Sequence, residues 1–597
     1  MPGLLKTVLL CSVYCVHLMS SFVRLACVAA LLVFSPQLIA FGQVLVEVPG
    51  KDTKSQAIDP KLSVADRLYR TGKFAEAEAS YRALLNADPK LTPAEVGLVR
   101  AMLWQQKIDE AFDAVHSALD AQPNSAALMA AKGDVQFRRG EMSDAELSFL
   151  AAKKLDPKEV DSYLGLARVY GSYSLYRTAY GELQIAHDLA PDNIEVQRAW
   201  LGLLPRKERL TALESYLGAP HPEDEEETQR MAEYLEFLKA TVDKPAHTCR
   251  QVSKVEHTET KLETIYAERQ RMPGIGLRYG VGMPMGRGLS VKLNDRNVNL
   301  LLDTGAGGII VGREIAEKAG LTRVAALRFG GIGDNGLQSG YMAVADHIRI
   351  GELEFKDCLI LVSDSRSVVN GDGLIGSNVF ANYLIDIDYP DMRLKLSPLP
   401  KRPEDAVAPQ SLNSEGAEQG NTEQQPDDEI EPASTQQKIS AITPPTPSQP
   451  PKDRYIAPEM INWTKVFRFG HAMLVPTYVN DSKAMLFELD TGAFRNTLSL
   501  RAARQVSGQI SSDSTMRIHG LNGAVKDVYE SKAILRFGRV QLPNLDTVTF
   551  DLSKISRQTG TEVSGFLGFA VLRLLEIKLD YRDGLVDFEY DPKRARY

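Results

Sequence analysis

The stretch Leu301-Leu302-Asp303-Thr304-Gly305-Ala306 and its second copy, Phe487-Glu488-Leu489-Asp490-Thr491-Gly492-Ala493, decide how the C-terminal half of this 597-residue chain is read. Each is an apolar run that delivers a carboxylate, a hydroxyl and a glycine in fixed order. Three residues recur by chance, so the weight rests on the residues downstream of each copy. After Asp303 come Gly330-Gly331-Ile332-Gly333, then Gly373-Leu374-Ile375-Gly376, then Ile387-Asp388-Tyr389-Pro390-Asp391 leading into Leu394-Lys395-Leu396. After Asp490 the order repeats as Ile518-His519-Gly520-Leu521, Gly565-Phe566-Leu567-Gly568 and Leu579-Asp580-Tyr581-Arg582-Asp583, leading into Val586-Asp587-Phe588. Gly376 lies 73 residues beyond Asp303 and Gly568 lies 78 beyond Asp490. The two segments therefore share one fold. Alternating runs such as Leu289 to Leu293 and Val298 to Leu302 make that fold β.

Together these elements resemble the retropepsin-like aspartic peptidase domain, once over residues 277–400 and again over 463–597. The resemblance implies a catalytic loop in each half, with Asp303 and Asp490 as the catalytic pair and Thr304, Gly305, Thr491 and Gly492 supporting them. It also implies flap hairpins, one tipped by Gly331, Ile332 and Gly333, the other by His519, Gly520 and Leu521. No cofactor and no metal ligand belong to such a site. Two carboxylates are needed because one activates water while the other, protonated, polarises the scissile carbonyl. At about 3 Å apart they cannot both ionise and so share a proton. A chain that encodes both loops can build the pair by itself, as a covalent pseudo-dimer. Against catalysis stand Gly307-Gly308 and Phe494-Arg495, where many relatives carry a small hydroxyl side chain. An inward Arg495 would hold the carboxylates ionised. The rival reading is a non-catalytic peptide-binding or assembly protein on a retained peptidase scaffold.

Outward from these halves, residues 401–460 read as a disordered linker. Ala406 to Pro451 contains no Phe, Tyr or Trp and is rich in Glu, Gln, Ser and Pro. As a flexible coil of roughly 60 residues it reaches roughly 40 to 45 Å, enough for the halves to pair. Upstream, Pro89, Pro123, Pro157 and Pro191 recur every 34 residues, and Ala77, Ala111, Ala145 and Ala179 keep the same step. This resembles the tetratricopeptide repeat, over residues 57–205. Such a solenoid offers either a spacer or a groove for a peptide or protein partner. Residues 206–272 read as a helical cap and connector. The expected fold class is thus multi-domain α plus β, a helical solenoid followed by two all-β barrels.

Residues 1–42 read as a signal peptide: an apolar run from Leu25 to Ile39 follows Arg24, and small Ala40 and Gly42 place a cut before Gln43. The alternative is an uncleaved membrane anchor. Export would place the protein in the periplasm or outside the cell. Only Cys249 and Cys358 of the five cysteines lie beyond this segment, either as one bridge or as two buried thiols. A formal net charge of -8 provides no field for nucleic acid. Neither the zinc-hydrolase nor the phosphate-loop motif occurs.

Overall fold

A computed structural model describes residues 60–204, 206–218, 225–243, 249–266, 284–333, 338–365, 371–403, 452–506, 516–520 and 523–594. The expected export segment, the start of the first β domain at 277, the linker interior 404–451 and Leu521 lie outside the described residues.

The 34-residue step is visible in the helices themselves. One set, α2 (Phe74–Ala87), α4 (Ile108–Ala121), α6 (Met142–Leu155) and α8 (Tyr176–Leu189), alternates with α3 (Thr92–Trp104), α5 (Ala126–Arg138), α7 (Val160–Ser172) and α9 (Ile194–Leu203), after an opening helix α1 (Pro60–Arg70). Each α-hairpin turns through a left-handed residue at the same step: Gly72, Gln106, Gly140 and Ser174, with φ of 73°, 62°, 76° and 59°. Ala77, Ala111 and Ala145 are fully buried, which lets neighbouring helices approach closely. Two further helices follow, α10 (Arg206–Gly218) and α11 (Glu225–Thr241).

The helical reading of the connector fails beyond Thr241. Strands Arg250–Gln251, Thr258–Lys261 and Glu263–Tyr266 belong to the β region, with Thr258, Thr260, Thr264 and Ile265 supplying β-branched side chains. Cys249 and Cys358 form a disulfide that ties this connector to the first β half.

Each half has its own sheet, nine-stranded in the first and eight-stranded in the second. In both, the strand carrying the aspartate pairs in parallel with the glycine-bounded strand, Asp303 opposite Gly376 and Leu489 opposite Leu567. A third, six-stranded sheet unites the halves. Its central pair is Tyr383–Asp388 from the first half against Leu575–Asp580 from the second, antiparallel with Ile387 opposite Ile577. The halves thus pair within one chain, and one apolar core runs through both.

The linker also needs correction at its ends. Arg402 Nη2 and the Tyr455 amide both donate to Oδ1 of the fully buried Asp583, while Ala457 and Met460 are buried against Leu585. The two ends meet at one carboxylate. A reach of tens of ångströms is therefore not required, and residues 401–403 and 452–460 are part of the folded body. Composition could not reveal this, because the anchoring groups are an arginine and a backbone amide.

The solenoid is fused to the second half rather than set apart from it. Ala130, Phe137, Met142, Phe149 and Leu166 share one apolar cluster with Leu474, Leu486, Val528, Phe550 and Phe566. Phe137 stands edge-on to Phe469 at 6.1 Å, and Thr561 Oγ1 donates to the Phe137 carbonyl at 2.6 Å. The contact uses the turn edge of the repeats. At the other end α11 lies along the strand Thr322–Phe329 of the first half, with Glu233 Oε1 3.0 Å from Arg328 Nη2.

Candidate active site

Each parallel pairing carries an aspartate loop to the junction of the halves, where the two loops meet. Thr304 and Thr491 lock the loops reciprocally. The Thr304 amide donates to Thr491 Oγ1 and the Thr491 amide to Thr304 Oγ1, both at 3.0 Å. Each hydroxyl donates onward to the opposite strand, Thr304 to the Leu489 carbonyl at 2.5 Å and Thr491 to the Leu302 carbonyl at 2.8 Å. Glycine comes next because a Cβ would crowd the opposite carboxyl: on Gly492 it would stand 2.5 Å from Asp303 Cγ, and on Gly305 3.0 Å from Asp490 Cγ. Within each loop the glycine amide donates to its own aspartate at 2.9 Å.

Asp303 and Asp490 are 8% and 7% exposed and hydrogen-bond to one another. Burial, and then the charge of Asp490, push the Asp303 carboxyl well above the ordinary carboxylate range. Burial raises Asp490 as well, but the Ala493 amide, the bond from Asp303 and the Gly492 amide pull it back. The pair therefore titrates as a unit that retains one shared proton between the two carboxyls.

Both β halves match one family model, that of the aspartyl protease. The matches cover residues 289–379 and 475–571, one for each loop. No curated protein matches the sequence. Among solved structures, a thermophilic TPR protein of Thermus thermophilus is 19% identical over 29% of this chain and 97% of its own, with a TM-score of 0.25. The Cut9-Hcn1 hetero-tetramer of the APC/C is 18% identical over 26% of this chain and 32% of its own, with a TM-score of 0.22. MamA from Desulfovibrio magneticus RS-1 is 16% identical over 23% of this chain and 76% of its own, with a TM-score of 0.19. These scores are too low to carry the fold of the helical region, which rests on its own 34-residue geometry.

The two β halves each add a hairpin. Gly331, Ile332 and Gly333 come after the strand Thr322–Phe329, and His519 and Gly520 lie in the strand Met516–Gly520. The two tips meet, since Gly520 packs against the Ile332 backbone with no room for a Cβ. Ile332 also packs on the apolar cluster of the second half. The first tip thus reaches across the pseudo-twofold, where a Cβ on Gly330 would stand 2.7 Å from Gln558 Nε2.

Several neighbours of the pair escaped the sequence reading. His471 places Nε2 3.1 Å from the Gly305 carbonyl, and its ring explains Gly307: a Cβ there would lie 2.9 Å from His471 Nδ1. Desolvation at the ring lowers the His471 pKa, although part of the side chain still reaches solvent. Glu488, two residues before Asp490, is 8% exposed, and burial together with the charges of Asp490 and Asp303 pushes it well above its usual range. A charged residue inside an otherwise apolar strand was the available signal. Arg495 is not among the leading influences on either aspartate.

Proposed function

We propose that the chain is an aspartic endopeptidase whose water-activating pair is Asp303 and Asp490. The observation that carries this reading is the mutual hydrogen bond of two buried carboxyls on loops locked by reciprocal threonine bonds. Asp490, ionised, takes a proton from water as the water oxygen bonds to the scissile carbonyl carbon. The Asp303 proton stabilises the carbonyl oxygen as it gains charge. When the intermediate collapses, the C–N bond breaks and the leaving nitrogen receives a proton, so that the pair ends with one shared proton as it began. The grip holds both carboxyls in position before substrate arrives. Replacing either Asp303 or Asp490 by Asn should lower kcat/KM by about a thousandfold or more, since members of one catalytic unit fail together. The double variant should be no worse, and mixing the two single variants should restore nothing. Full activity in Asp490→Asn refutes the shared site.

In this reading the solenoid recruits substrate or a protein partner. Its turn edge is occupied by the second half, which leaves the faces of α3, α5 and α7 for that purpose. Arg100, Asp134 and Arg168 stand there at the 34-residue step, with Arg100 2.5 Å from Asp161 and Arg168 paired with Asp134. The protein is exported, a reading supported by the Leu25 to Ile39 run and the Cys249–Cys358 bridge. No described helix is long and apolar enough to cross a membrane. Sequencing the mature protein should give Gln43 as its first residue, and a start well upstream contradicts cleavage there.

A further inference from the structure

The two loop-bearing strands differ at one position that bond cleavage does not need. Two residues before each aspartate, and so on the same face of the strand as its carboxyl, stand Leu301 in the first half and Glu488 in the second. The surroundings correspond. Leu301 packs with Leu374 of the glycine-bounded strand and with Ile310. Glu488 lies in register between Leu474 on one side and Phe566, the counterpart of Leu374, on the other, both fully or almost fully buried. The Ile332 tip covers the apolar cluster to which Leu474 and Phe566 belong. Both positions therefore have apolar walls beside the catalytic pair, but only one carries a carboxyl.

Glu488 has no hydrogen-bond or ion-pair partner among the described residues, and the groups acting on it are the two aspartates, of its own sign. An unpaired carboxyl in such a place costs free energy unless a cation or donor meets it. On the same face, Leu486 is closed off by the solenoid turn at Gly140, so the space left to Glu488 lies toward Asp490. Apolar walls with a carboxyl suit a side chain whose methylene stem is buried and whose head is charged. Resting on the peptidase reading above, we propose that Glu488 forms an acidic subsite for a lysine or arginine of the substrate beside the scissile bond, while Leu301 takes an apolar side chain on the other side.

The test uses the full chain and peptide pairs that differ only by Lys or Leu at each position flanking the scissile bond. The wild type should prefer Lys over Leu at least tenfold in kcat/KM at one flanking position and prefer Leu at the other. Glu488→Leu should abolish or reverse the first preference, and Leu301→Glu should create a Lys preference on the opposite side. Because each figure is a ratio within one preparation, incomplete folding of a variant cancels. Absence of any Lys preference in the wild type, or its persistence in Glu488→Leu, overturns the proposal while leaving the peptidase reading intact. If no peptide is cleaved, the peptidase reading fails by itself. The same pairs built around a statine core and measured by calorimetry then decide the subsite: at least tenfold tighter binding of the Lys form to wild type but not to Glu488→Leu supports it, and equal affinities overturn it.

Discussion

The first and second β halves agree closely where the carboxyls are held and diverge immediately outside. Thr304 and Thr491 make mirror-image bonds, and Gly305 and Gly492 each face the opposite aspartate. One shell further out the copies reach similar ends by different means. In the first half Asn378, two residues past Gly376, accepts from the Gly308 amide at 2.9 Å. In the second the asparagine sits on the loop instead, and Asn496 accepts from the Gly568 amide at the same distance. Tyr581 crosses to Ser377 through a 2.7 Å hydroxyl bond, whereas its counterpart Tyr389 meets the ring of Phe569. His471 and Glu488 have no like counterpart, since Met285 and Leu301 stand at the matching register positions of the other half. Where two carboxyls must share one proton, both copies keep the same groups. Where a site has only to be walled and a substrate oriented, they are free to differ.

The largest effect that can break this comparison is expected at the threonines. Removing one hydroxyl as Thr304→Val or Thr491→Val keeps the shape but strands a buried amide and a buried carbonyl of the facing loop. Each such orphan costs about 1–3 kcal/mol. Both variants should lose stability to urea by similar amounts, and loosening of the carboxyls should lower kcat/KM by about a hundredfold. The halves are equivalent in their bonds, so a large loss in only one variant would show that the grip is carried by one copy.

The sequence showed the parts of this architecture that repeat. A 34-residue proline step requires no partner to be seen, and two Asp-Thr-Gly-Ala loops with matching downstream elements are visible by inspection. Contacts between remote segments leave no such trace. The docking of Phe137 on Phe469, the meeting of Arg402 and Tyr455 at Asp583 and the short strands from Arg250 to Tyr266 all depend on which surfaces meet. Cys249 and Cys358 were compatible with a bridge or with two thiols until the connector was placed on the first sheet. Glu488 was legible as an anomaly, a charge between Phe487 and Leu489, but its relation to Asp303 requires the two halves to be paired.

A smaller effect sharpens the comparison between the two aspartates. Both native carboxyls are raised, so the folded protein keeps protons that the unfolded chain releases near the ordinary values of 3.8 for aspartate. The sign is set by proton linkage. Stability is greatest below the unfolded pKa and falls as pH rises toward the folded one, because over that range the native state binds more protons. Asparagine in place of either aspartate removes this loss. Asp303→Asn should therefore melt higher than wild type at pH 7, by up to a few degrees, and the gain should shrink toward pH 4. Asp490→Asn should gain less, because the Ala493 amide at 2.8 Å favours its charge and is left with a poorer acceptor. Asp386 and Asp580, both pushed up to about 6 first by burial and then by the neighbouring Glu576 and Asp583, drive the same trend in every variant and cancel in the difference. Melting curves of the three proteins across pH 4 to 7 measure it. A larger gain in Asp490→Asn than in Asp303→Asn would move the shared proton to Asp490 and exchange the roles of acid and base, with the paired loops left as they stand.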